Sequence, residues 1–304
     1  MPKPDKIEVV GLGQASMDYL GMMSSFPEED QKVELLDLVY QCGGPASTAL
    51  VTLSRLGLQT SFLGSISDDL CGKEILKGLK DEGVDTSRLK ILPGYTSQFA
   101  FIAISSANAN RTIFWHRGSV PPLSAVDIDL SPFPGAKILH VDGLMIEASV
   151  EAARQARRMG MKVVMDAGTM REGSLDLARL VDTLIASERF AEPLVGPGAA
   201  TKQALEALRS LGPREVVITL GSRGSMGWED GRVIFQDAFP VEAVDTTGAG
   251  DVYHGAYIYG LIQNWGMAEK MRLASAAAAL KCLHVGARKG IPGLKEILSF
   301  MKNP

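Results

Sequence analysis

Asp245-Thr246-Thr247-Gly248-Ala249-Gly250-Asp251 runs directly into Val252-Tyr253-His254-Gly255-Ala256-Tyr257-Ile258. Two glycines flank an alanine, a carboxylate follows, and a long apolar, alanine-rich helical pattern begins. Such glycines make a turn whose backbone N–H groups converge on a helix start, where unpaired donors and the helix dipole favour an anion. Asp251 then stands where it could take a proton from an incoming hydroxyl. The charge of a transferring phosphoryl group would rest meanwhile on Gly248, Ala249 and Gly250. The plainer use of the same residues is a tight connection in which Asp251 only complements the helix dipole.

Upstream of this stretch the chain alternates strand and helix. Ile138-Leu139-His140-Val141, Lys162 to Asp166 and Thr183 to Ala186 read as strands, with helical patterns over 146–159 and 175–180. Continuous apolar strands separated by helices predict an α/β fold, its mostly parallel central sheet covered on both faces. Ligands of such sheets lie beyond the strand C-termini, which is where Asp142, Asp166 and Ser187 fall. Glu215 to Ser225 reads as a strand and a glycine turn. Two helices, over 253–263 and 268–283, follow Asp251, and 285–292 closes the sheet region.

The N-terminal part begins with a short strand, Ile7 to Gly13. Its Gly11-x-Gly13 lacks the third glycine of a dinucleotide fingerprint, and Phe26-Pro27 breaks any helix that would have to follow, which argues against a dehydrogenase; that third reading would need NAD bound at Gly11 to Gly13. Asp18 lies just past the strand, placed to accept hydrogen bonds from substrate hydroxyls. Lys32 to Gln41 reads as a strand, and Gly43-Gly44-Pro45 opens a helix that ends at Gly57, with Pro45 in its first turn. Residues 60–69 read as a strand leading into a helix that runs to Gly83. Phe99 to Ile104 and Arg111 to Trp115 form a hairpin around Asn108-Ala109-Asn110, and with 19–40 they predict a second, smaller sheet.

Asp-Thr-Thr-Gly-Ala-Gly-Asp resembles the C-terminal signature of the ribokinase-like (PfkB) carbohydrate kinases. Gly43-Gly44-x-Ala46, with a helix ending in Arg55-Leu56-Gly57, resembles their N-terminal signature, although Thr48 stands where the family usually has Asn. Thr219-Leu220-Gly221-x-x-Gly224 is similar to their nucleotide-bordering turn. The resemblance covers nearly the whole chain and implies one domain over 1–304, with a β lid built from about 17–41 and 97–118. It implies ATP and Mg²⁺ as cofactors, with K⁺ as a further possibility, and Asp251 as base above the Gly248-Ala249-Gly250 anion hole. Asp18, Gly43 and Gly44 would hold the sugar, and Lys32, Asn110 and Arg117 would reach it from the lid. Thr219, Gly221, Gly224, Ser187 and Gly286 would border the nucleotide.

Ser187-Glu188-Arg189-Phe190 occupies the place of the family's Asn-x-x-Glu motif, with Ser for Asn and Phe for Glu. There Glu188 would serve Mg²⁺ through bound water. Asp245 and Thr247 would face a monovalent cation. In motif detail the chain is closest to the ketohexokinase and sulfosugar-kinase branch. Asp142-Gly143-Leu144-Met145 offers no basic residue for an anionic sugar, so a ketohexose or ribose-like acceptor leads and a nucleoside follows. A non-catalytic sugar- or nucleotide-binding protein on the same fold is the reading of a different class. The resemblance also implies a homodimer formed through the lid.

Composition narrows the rest. The 304 residues are 46% hydrophobic and 22% charged, with a formal charge of −4, which is ordinary for a globular protein and leaves no basic footprint for nucleic acid. No apolar run reaches the roughly 18 residues that would argue for a membrane span. Three distant cysteines, Cys42, Cys71 and Cys282, suit a reducing compartment, and the expected location is cytoplasmic.

Overall fold

The computed structural model describes residues 6–107 and 111–302. β1 (Val9–Leu12) is buried along its whole length and leads through a short bend into β2 (Ser16–Met23) and β3 (Asp37–Gly43). Helix α1 (Pro45–Arg55) starts with Pro45 in its first turn, behind Gly44 at a φ of +95°. It packs so tightly on β1 that a Cβ on Gly11 would lie 2.7 Å from Leu50. β4 (Thr60–Leu63) and β5 (Ser65–Ser67) follow, then α2 (Leu70–Asp81), capped by Asp69, whose side chain accepts from the Gly72 amide. β6 (Lys90–Leu92), β7 (Phe99–Ser105) and β8 (Arg111–His116) complete the first half.

The second half alternates regularly. β9 (Ile138–Val141), α3 (Ile146–Arg158), β10 (Lys162–Ala167), α4 (Ser174–Ala178) and β11 (Thr183–Ser187) come in turn. After α5 (Glu188–Val195) and α6 (Thr201–Arg209) come β12 (Glu215–Thr219), β13 (Ser225–Glu229) and β14 (Arg232–Gln236). α7 (Ala249–Ile262), α8 (Met267–Cys282) and α9 (Leu294–Phe300) end the chain.

Eight strands form the central sheet in the order β14-β13-β12-β11-β10-β9-β1-β4. It is parallel from β4 through β12, and only the β12–β13 and β13–β14 pairs, at one edge, are antiparallel. One apolar core lies between the sheet and α1, α2, α7, α8 and α9, and another between its opposite face and α3 to α6. The four-stranded lid has the order β3-β2-β7-β8. Its β2 and β7 pair in parallel, the flanking pairs are antiparallel, and a small core of Leu20, Ala100, Ile102 and Ile104 seals it. β5 and β6 make a separate parallel pair.

The architecture is the one expected, with local departures. The third strand starts at Asp37, not Lys32, because β2 offers no ladder partner beyond Met22 opposite Asp37. The stretch 60–69, expected as one strand leading into a helix, holds two strands split at Gly64, where the chain passes from the central sheet into the small pair. The Asn108-Ala109-Asn110 turn lies outside the described residues.

Candidate active site

The lid and the C-terminal ends of β1, β9 and β10 converge on the start of α7. Asp18, in β2, is buried, and its Oδ1 accepts from Ser16 Oγ at 2.7 Å. Burial raises its pKa to about 6 against the pull of that hydroxyl and of Arg288. Gly43 must be glycine here, since a Cβ would stand 1.9 Å from Asp18 Oδ2. Behind it Arg288 donates from Nη2 to Ser47 Oγ at 2.8 Å and to the Gly43 carbonyl at 3.3 Å, fixing the double-glycine turn from inside.

Asp142 ends β9. Its Oδ2 accepts from the Gln14 amide at 2.6 Å and its Oδ1 from Leu144 at 3.1 Å, while burial drives its pKa up to about 7. Asp166, in β10, is raised to about 7 by burial as well. Asp251 lies in the first turn of α7. Its pKa is also pushed up to about 7, first by burial and then by Asp166, with His254 pulling the other way. His254, one turn on, places Nδ1 2.6 Å from the Gly250 carbonyl and Nε2 3.5 Å from Asp166 Oδ1. Burial lowers its pKa, against the pull of the Gly250 and Ile185 carbonyls and of the Asp251 carboxylate.

Gly248 caps α7 in the left-handed region, at a φ of +77°. An added Cβ would meet Ala287 Cβ at 2.7 Å, so the turn is pressed against the closing loop. On the other side, a Cβ on Gly250 would meet nothing within 4 Å. The helix start is therefore open on the Gly250 side, at the end of α7 that favours an anion.

Asp18, Gly44, Gly248 and Asp251 share the wall of one cavity of about 300 Å³, together with Arg111 and Arg171. Ile113 and Trp115 of β8 close it from the lid. Arg111 also donates from Nη1 to Thr246 Oγ1, so the lid is tied to the glycine turn.

The remaining expected residues fall into three groups. Thr219, Gly221 and Gly224 form the β12–β13 turn, outside this cavity, and Tyr253 of α7 reaches that turn by donating to Ser225 Oγ at 2.9 Å. Ser187 caps α5 by accepting from the Phe190 amide at 3.3 Å, and its Oγ donates to the Gly168 carbonyl at 2.6 Å. Glu188 pairs with Arg223, whose Nη2 lies 2.6 and 2.5 Å from its two oxygens. Gly286 donates its amide to Asp245 Oδ2 at 2.7 Å, and Thr247 donates to Asp245 Oδ1 from its amide and its hydroxyl. Of the lid residues, Arg117 lines a different, smaller pocket with its guanidinium over Trp115, and Lys32 is exposed on the segment before β3. Asn110 lies outside the described residues.

Arg111 and Arg171 are the functional candidates that sequence reasoning missed. Arg171 carried a findable signal, because it follows the C-terminal end of β10, where ligands of parallel sheets bind. Arg111 carried none, since only the folded lid brings it over Thr246. Among the described residues no group of three His, Cys, Asp or Glu side chains is arranged to hold a metal.

A mostly parallel α/β sheet, a β lid and an acid in the first turn of a glycine-started helix are together the architecture of the ribokinase-like class. Residues 6–293 match the family model for pfkB family carbohydrate kinases. The chain belongs to that family. It is 28% identical to a ribokinase of Haemophilus influenzae, with 96% of this chain and 97% of that protein covered. Identity to a 5-dehydro-2-deoxygluconokinase of Clostridium botulinum is 25%, over 99% of this chain and 94% of that one. The crystal structure of a candidate ribokinase from Agrobacterium tumefaciens superposes with a TM-score of 0.88 at 29% identity, covering 98% of both chains.

Proposed function

We propose that this chain is an ATP-dependent kinase that phosphorylates a hydroxyl of a sugar. The observation that carries the reading is the shared cavity, which sets Asp251 beside the Gly248–Gly250 helix start, open at Gly250, with Asp18 and Gly44 also on its wall. In the mechanism, Asp18 and the backbone of Gly43 and Gly44 orient the acceptor, and Asp251 takes the proton from its hydroxyl. The amides of Gly248 and Gly250 carry the charge of the transferring group, joined by that of Ala249 when it leaves the Thr246 carbonyl, to which it donates at 3.2 Å. The nucleotide lies toward Thr219, Gly221, Gly224, Ser187 and Gly286. Mg²⁺ would neutralise the phosphates; it needs few protein ligands because it keeps its waters and binds phosphate oxygens. Glu188 reaches it only through water and only if the Arg223 pair opens.

A ketohexose or ribose-like acceptor remains the leading choice. A carboxylated sugar is favoured next, because two guanidinium groups, Arg111 and Arg171, stand on the cavity wall and one relative is named for a gluconate derivative. The deciding experiment is a panel of ketohexoses, pentoses, sugar acids and nucleosides with Mg-ATP, read as ADP release. Acceptor-stimulated turnover supports the kinase. Ligand-induced thermal stabilisation without turnover by any acceptor would make the chain a binding protein instead.

With its pKa near 7, Asp251 is fully available as a base only above neutrality. The acceptor kcat/KM is therefore expected to fall about tenfold per pH unit below pH 6 and to level off above about pH 8. A profile flat from pH 5 to 8 would exclude Asp251 as the titrating base.

The lid supplies the proposed dimer surface. On its outer face Tyr40, Tyr19, Phe101 and Phe114 stand in one cross-strand row, with Tyr40 56% and Phe114 59% exposed. Aromatic surface of this kind is covered at low cost by a second copy. Light scattering is expected to give twice the chain mass, and Phe114→Lys to return it to the monomer value.

A further inference from the structure

The family resemblance implies a monovalent cation facing Asp245 and Thr247, and the residues present do not fit one. Asp245 is wholly buried, and so is Lys281, in the last turn of α8. Lys281 Nζ donates to the Asp245 main-chain carbonyl at 2.7 Å and stands 4.0 Å from its carboxylate Oδ2. The carboxylate already holds three donors: Oδ1 accepts from the Thr247 amide at 2.8 Å and hydroxyl at 2.7 Å, and Oδ2 from the Gly286 amide at 2.7 Å. A K⁺ ion needs several oxygen ligands in place of its water shell. Here the oxygens a cation would use are taken by donors, and its charge would be buried beside that of the ammonium, at a cost in desolvation and repulsion.

We infer that the Lys281 ammonium does in cis what a bound monovalent cation would do, so that this chain works without K⁺. Asp245 is the anchor from which Thr246, Thr247 and Gly248 run to the anion hole. Lys281 holds both its main-chain oxygen and its side-chain charge, and so sets where the turn begins. It is a positioning residue and touches no reacting atom. The inference rests on the phosphotransferase reading of the turn for its effect on rate, but the absence of a K⁺ site is a property of the protein alone.

The test compares KCl with choline chloride at equal ionic strength. For the wild-type chain the melting midpoint, the calorimetric ATP affinity and the acceptor-dependent rate are each expected to be the same in the two salts, the rate within twofold. A saturable K⁺-specific rise in midpoint, or a tenfold rise in rate, overturns the inference. Lys281→Met is expected to lose at least tenfold in rate in choline chloride and to regain it in KCl, where the emptied space beside Asp245 accepts the ion. Full rate for that variant in choline chloride would overturn the inference as well. Should no acceptor be turned over in either salt, the kinase reading falls, and the wild-type midpoint comparison alone decides the K⁺ question.

Discussion

Asp251→Asn is expected to lower kcat by about 10³-fold while leaving ATP affinity within a few-fold, the loss typical of a positioned general base. The amide keeps the shape of the carboxylate but cannot accept the proton of the acceptor hydroxyl. It also removes one of the buried acids around Asp166 and Asp18, whose repulsion raises the pKa of Asp251. The variant should therefore fold at least as stably as the parent at pH 8, and a raised melting midpoint with lost turnover would separate chemistry from folding. Single-turnover rates within tenfold of the parent would remove Asp251 from the mechanism.

Gly248→Ala is the second large effect. Its backbone sits at a φ of +77°, and the new methyl carbon would meet Ala287 Cβ at 2.7 Å and Ala287 O at 3.1 Å. The left-handed conformation alone costs an alanine about 1–2 kcal/mol. Relief comes from shifting the turn, which carries the amides of Ala249 and Gly250 away from the transferring group. Misaligning such donors costs about 10²-fold or more in kcat. Stability is expected to fall by about 2 kcal/mol, a shift of several degrees in the melting midpoint. A variant with intact kcat would mean that this turn does not carry the charge of the reaction.

The features written in local chemistry were legible. Gly248, Gly250 and Asp251 announce a helix start with an acid beside it, and the apolar runs at 138–141, 162–166 and 183–186 announce buried parallel strands. The double glycine at 43–44 was readable as a close approach, although not that the approaching group is the Asp18 carboxylate. What stayed hidden depends on distant pieces meeting. Lys281, in an alanine-rich helix, has the local appearance of a surface residue, and only the buried Asp245, 36 positions earlier, explains its burial. Arg111 acquires its meaning when the lid lies over Thr246, 135 residues away. The split at Gly64 was invisible because both halves have strand composition, and what separates them is which sheet each one joins.

Residues 252–261 of α7 are buried without interruption, on every turn of the helix. By contrast, every residue of β8 is exposed. Amide protons in α7 are therefore expected to exchange only through opening of the whole core, on the scale of hours or longer, while those at the lid edge exchange through local fraying. In the proposed mechanism the proton acceptor stands at the start of the most protected helix, while the strand that covers the cavity is the one whose amides exchange first.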